Sequence, residues 1–221
     1  MRYLLFTIIT IILLSCAKQE DNIPFYIQID DIILDENTSE NITEAWVYIN
    51  DNKIGIYELP AKFPVLEEGE KELKIRAGIK KNGISATRVF YPFYEVFTDS
   101  LFFKKDSVYI INPIVNYKDN IDWNKLFVED FIGGNQGIQF ENSGQNMNTI
   151  KDTIIENRTC GYIILDSIFS NCETKTTTLN FPQGSEIYLE MDYKSDSSSF
   201  IVGLQSNYFN DTINEPIMNI F

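Results

Sequence analysis

Histidine is absent from all 221 residues, which removes every nucleophile arrangement that uses imidazole as base and every zinc site built on imidazole. The hydrolytic apparatus still available is a pair of carboxylates, because cleaving a glycosidic bond needs an acid and a base or nucleophile about 5 to 10 Å apart. Glu190-Met191-Asp192 is the best-placed pair, since alternate residues of a strand share one face. The same two acids also read as a solvated polar face opposite Leu189 and Met191. No motif calls for a cofactor or a metal. Stacked rings could instead bind a sugar or an apolar ligand. Tyr188, Tyr193 and Tyr208 lie on or beside strands expected in the second half. The segment Val89 to Phe97 is denser still, with Phe90, Tyr91, Phe93, Tyr94 and Phe97, although alternating Phe and Tyr also fill sandwich cores. Its Pro92 places it at an edge or a corner, not in a central strand.

These residues sit in a chain of 18 cations and 32 acids, with a formal charge of −14. That balance excludes a phosphate-tracking surface, so nucleic acid is not an expected partner. A composition 44% hydrophobic and 23% charged marks a globular chain of one or two domains. Its opening is different. Residues 1–16, MRYLLFTIITIILLSC, carry one early cation, Arg2, and an apolar run from Tyr3 to Leu14. The run falls short of the about 20 residues a membrane-spanning helix needs, so it reads as an export signal. Leu13-Leu14-Ser15-Cys16 resembles the lipobox of bacterial lipoproteins, in which the cysteine is acylated and becomes the new N-terminus. The resemblance implies membrane attachment through lipid on Cys16, and several acyl chains give stable anchoring. Residues 17–22 then form a polar tether whose Glu20 and Asp21 resemble, loosely, the acidic signal that sends lipoproteins of Bacteroidetes to the outer face of the outer membrane.

From residue 23 onward apolar residues alternate or run in short blocks, so an all-β body is predicted. Ala45 to Ile49 and Ile54 to Leu59 flank Asn50-Asp51-Asn52-Lys53, a hairpin signature. In the strand from Lys71 to Gly78, Leu73, Ile75 and Ala77 share one face and Lys74 and Arg76 the other, the pattern of a half-buried antiparallel strand. The block from Trp46 to Ala77 resembles the PEGA and related immunoglobulin-like modules of bacterial envelope proteins, which implies a spacer or binding unit without chemistry of its own. Turn chemistry between Asn112 and Asp122 places a domain boundary near residue 118. Residues 23–118 are thus expected to form an immunoglobulin-like sandwich, and 119–221 a jelly-roll-like, lectin-like sandwich with strands near 161–168, 174–180, 185–193 and 199–206. Ending on the apolar Pro216 to Phe221, this second sandwich is expected to be incomplete, as in a truncated chain. Taken together, the arrangement resembles an uncharacterised lipoprotein family of Bacteroidetes, from which no activity carries over.

Two smaller signals remain. Glu190-Met191-Asp192 resembles the start of the Glu-x-Asp-x-x-Glu motif of laminarinase-like glycoside hydrolases, with Ser195 standing where the third acid would be. Cys160 and Cys172 invite a disulfide in an exported protein, but one continuous strand over 161–168 would hold them apart, and bonding requires the chain to fold back near Asp166-Ser167. The expected function is a surface-displayed binding or structural module whose partner is a glycan or an envelope protein. The alternative is a carboxylate-based glycoside hydrolase, or a degenerate relative, acting through Glu190 and Asp192.

Overall fold

The computed structural model describes residues 23–35, 40–121, 127–132, 138–140, 147–151, 158–176, 179–181, 184, 186–196, 200–208 and 211–220. Among the described residues the protein is almost entirely β, with several sheets and no barrel, in keeping with an all-β sandwich. By contacts it divides into two units: the chain up to Asp119 together with Ser195–Phe221, and Asn120–Lys194.

Up to Asp119 the described residues of the first unit form ten strands in succession: β1 (Phe25–Ile29), β2 (Ile33–Leu34), β3 (Glu44–Ile49), β4 (Asn52–Glu58), β5 (Ala61–Val65), β6 (Gly69–Lys80), β7 (Arg88–Phe90), β8 (Phe97–Phe103), β9 (Val108–Ile111) and β10 (Ile114–Val115). One sheet has the order β5-β1-β9, with β1 and β9 parallel, and β2 and β10 form a short parallel pair of their own. The other sheet runs β4-β3-β6-β7, with β8 also on β6. Period-2 alternation explains the core. Phe25, Ile27 and Ile29 of β1 and Phe63 and Val65 of β5 are buried on one side, and Ala45, Val47, Ile49, Leu73, Ile75 and Ala77 on the other. Rings join the two sheets. Phe25 stacks on Phe103 at 4.3 Å with Tyr109 edge-on to both, and Tyr57 stacks on Phe63 at 3.7 Å.

The expected hairpin is present as β3 and β4, joined by Asn50 and Asp51 at φ of 47° and 62°. Two positive φ angles in a two-residue loop match the right-handed twist of the flanking strands, and Asn and Asp tolerate them. Strand β6 is the longest of this unit. It pairs with β3 along one edge; on the other edge it pairs with β8 over its first part and β7 over its end. The ring-dense segment makes the corner between β7 and β8. Tyr91 and Tyr94 there are buried, with centroids 4.6 Å apart, and Tyr94 packs on Tyr117 at 5.0 Å. This is the core-filling use of those rings.

Residues after Asp119 carry β11 (Ile138–Phe140), β12 (Asn148–Lys151), β13 (Thr159–Tyr162) and β14 (Thr174–Thr176), paired β11 with β14 and β12 with β13. A hairpin of β15 (Phe200–Tyr208) and β16 (Asp211–Ile220) follows. Two expected strands need correction. The 161–168 strand stops at Tyr162, where the ladder with β12 ends opposite Asn148, and further on the Asp166 carboxylate accepts hydrogen bonds from the Ile168 and Phe169 backbone N–H groups, both at 2.7 Å, and turns the chain. The 185–193 strand does not form among the described residues 186–193. Its alternation is real, yet Ile187, Leu189, Met191 and Tyr193 are all exposed, and without a partner edge to complete a ladder, alternation alone does not make a strand.

The inter-sheet ring cluster should dominate stability. Phe103→Ala is expected to cost about 3–5 kcal/mol in urea denaturation of the chain. A loss below about 1 kcal/mol, the range of surface substitutions, would show that the two sheets are not held together there.

Candidate functional site

The face of β3 turned away from the core carries Glu44, Trp46 and Tyr48, the alternate residues to Ala45, Val47 and Ile49. Cross-strand register sets their neighbours. On β6, Gly78, Arg76 and Lys74 stand opposite Glu44, Trp46 and Tyr48; on β7, Phe90 and Arg88 stand opposite Gly78 and Lys80. A bulge in β4 after Val47 brings Lys53 opposite Tyr48. The result is one row of rings interleaved with cations.

The Arg76 guanidinium lies over the Phe90 ring at 4.9 Å and the Tyr48 ring at 5.7 Å, and the Lys53 ammonium lies over Trp46 at 4.4 Å. Phe90 meets Trp46 edge-on at 5.6 Å. Such cation–ring contacts contribute about 0.5–1 kcal/mol each when exposed. Gly78 makes the packing possible, because a Cβ there would come within 2.8 Å of the Trp46 indole and 3.0 Å of the Glu44 Cβ. At the β7 end, Arg76, Phe90, Tyr91, Tyr94, Glu95 and Lys118 line a shallow cleft, with the Lys118 ammonium donating to the Pro92 carbonyl at 2.6 Å.

Below the rings lies a carboxylate that water does not reach. Glu44 is 0% exposed although it belongs to the outer face. The Arg88 Nε is 3.0 Å from its Oε1, yet among the described residues neither carboxylate oxygen completes a hydrogen bond, and neither do the buried Trp46 indole N–H and Thr43 hydroxyl. Burial pushes the Glu44 carboxyl above its ordinary range, against the pull of the Arg88 and Lys80 cations. Glu58 completes the cluster, with Lys80 at 2.7 Å and Arg88 at 3.6 Å.

The residues singled out in the sequence lie elsewhere. Cys16 falls outside the described residues. Glu190 and Asp192 are exposed on an irregular segment, so the shared-face argument for a carboxylate pair does not apply. Asp192 is engaged by Arg158 at 3.4 Å. Tyr188 is half-buried, its hydroxyl 3.3 Å from Glu186, and burial followed by the Glu186 charge raises its pKa. Tyr193 is exposed, and Tyr208 ends β15 opposite Asp211, with its side chain outside the described residues. The chain does fold back at Asp166, as a disulfide would need, yet Cys160 and Cys172 are separate thiols. Cys160 points its sulfur at the Ile150 carbonyl, 3.6 Å away. Among the described residues no cluster of three acids or cysteines is placed to hold a metal. The outer face of β3 was not singled out in the sequence, although its signal was there: Glu44, Trp46 and Tyr48 alternate with three apolar residues.

Glu44 should leave a trace in the pH dependence of stability. A carboxyl whose folded pKa is raised stabilises the fold below its ordinary pKa, and that contribution fades as pH rises through the raised value. Relative to Glu44→Gln, which cannot ionise, the wild type is expected to lose stability as pH rises above the ordinary carboxylate range, as read by urea denaturation at each pH. The opposite slope would mean that the Arg88 pair outweighs the burial.

No protein-family model, curated protein or solved structure matches the chain, so a functional reading rests on the chemistry of these side chains.

Proposed function

We propose that the chain is a binding module displayed at the outer membrane through lipid on Cys16, and that it takes glycan on the outer face of β3, β6 and β7. One observation carries this reading: Trp46, Tyr48 and Phe90, none of them buried, stand in register on a single sheet face. Rings fixed by strand register present flat apolar surfaces that suit the face of a pyranose. Sites on rigid elements are also held more precisely than sites on loops. Tyr193 offers an exposed ring as well, but from an irregular segment, and it serves as the comparison. The hydrolase alternative lacks a comparable observation, because Glu190 and Asp192 do not share a strand face.

A glycan array paired with a hydrolysis assay on the same polysaccharides tests this. Binding without product is expected, weakened at least about tenfold, or 1.4 kcal/mol, by Trp46→Ala and little changed by Tyr193→Ala. Hydrolysis lost in Glu190→Gln would replace this reading with the enzymatic one. Absence of both binding and hydrolysis would leave an envelope protein as the partner class. Anchoring is tested separately: labelled palmitate should enter the wild type and not Cys16→Ala, and equal labelling would end that part of the proposal.

A further inference from the structure

We infer that the glycan bound on this face is acidic, a uronate-bearing chain whose carboxylate is taken by Arg76; this rests on the glycan-binding reading above. The argument begins with which charges are already engaged. On and around this face Lys74 pairs with Asp51 and Glu72, Lys80 with Glu58, and Arg88 with Glu44 and Glu58. Arg76 and Lys53 differ: among the described residues neither has a carboxylate partner, and both rest on rings instead. In a chain where 32 acids outnumber 18 cations, these two cations, set on the strands either side of β3 and resting on the ring row without an ion-pair partner, form a local reversal of charge. That reversal is complementary to an anion.

The geometry suits a carboxylate better than a bare point charge. The Arg76 guanidinium, its central carbon 4.9 Å from the Phe90 ring centre and 5.7 Å from that of Tyr48, carries a planar N–H fork from which a carboxylate can accept two parallel hydrogen bonds. Lys53 is exposed at the end of a flexible stem. It can swing off the Trp46 face to let a sugar ring stack and still hold the negative charge nearby. A uronate sugar presents both features together, an apolar ring face and a carboxylate at its edge.

The test uses the full chain and uronate oligosaccharides of galacturonate, mannuronate and glucuronate type, each beside its methyl ester. Esterification removes the charge and keeps the ring. In titration calorimetry at low salt, at least one acid should bind about ten- to a hundredfold more tightly than its ester, the worth of one charge-assisted pair. The preference should shrink as salt rises. Arg76→Ala should abolish it, Arg76→Lys should retain part of it, and Trp46→Ala should weaken acid and ester alike; near-ultraviolet circular dichroism confirms that each variant is folded. Equal binding of acids and esters by the wild type would overturn the acidic assignment and leave the glycan-binding reading standing. Failure to bind any saccharide, charged or neutral, would overturn both. A preference that survives in Arg76→Ala would overturn the role of that residue.

Discussion

Strand β6 is the constraint on which the first unit depends. Its residues are divided between two environments by a period of two: Leu73, Ile75 and Ala77 enter the core, while Lys74, Arg76 and Gly78 face outward. A slip of one residue against β3 would put Lys74 and Arg76 in the core and strip the outer face of its cations. Burial of the inner set, at about 25 cal/mol for each Å² of apolar surface, therefore fixes the register, and the register fixes which ring meets which cation. The outer face is arranged by forces that act on the other side of the sheet.

Gly78 shows how closely the two sides are coupled. As the outward residue opposite Glu44 and beside Phe90, it leaves the space that the Trp46 indole occupies. Arg88 in turn meets a carboxylate that water does not reach. An acid buried with one ion pair and no complete hydrogen bond is weak support for the fold, since desolvation can exceed the Coulombic gain. Its value lies in placement. Arg88 is held toward Glu44 and Glu58, which leaves Arg76 and Lys53 over the rings without a carboxylate partner among the described residues.

The surface ion pairs around this face have a similar meaning. Exposed pairs contribute only about 0–1 kcal/mol each, so Lys74 with Asp51 and Lys80 with Glu58 matter less for stability than for neutralisation. They quiet the charges at the margins of the ring row. Against the field of a chain with a formal charge of −14, a small cationic centre remains where Asp51, Glu72, Glu58 and Glu44 are each paired with another cation.

Much of this protein was legible in its sequence where the signal is local. The β3–β4 hairpin could be read from Asn50-Asp51, because those residues accept the backbone angles that a two-residue turn imposes. The inward face of β6 could be read from Leu73, Ile75 and Ala77, because a strand sorts its side chains by parity. The same rule failed for residues 185–193, where alternation is present but no strand forms among the described residues, and at 161–168, where the ladder with β12 ends at Tyr162 and the Asp166 carboxylate then turns the chain. The outer face shows the same division. The sequence by itself determined that Trp46 and Tyr48 share a side of their strand, as do Lys74 and Arg76 of theirs. Only the tertiary structure decided that these two sides meet, that Phe90 joins them across Gly78, and that Glu44 lies buried beneath. Parity is a property of one chain segment, whereas register is a relation between segments far apart in sequence, set by what the core on the opposite face can bury.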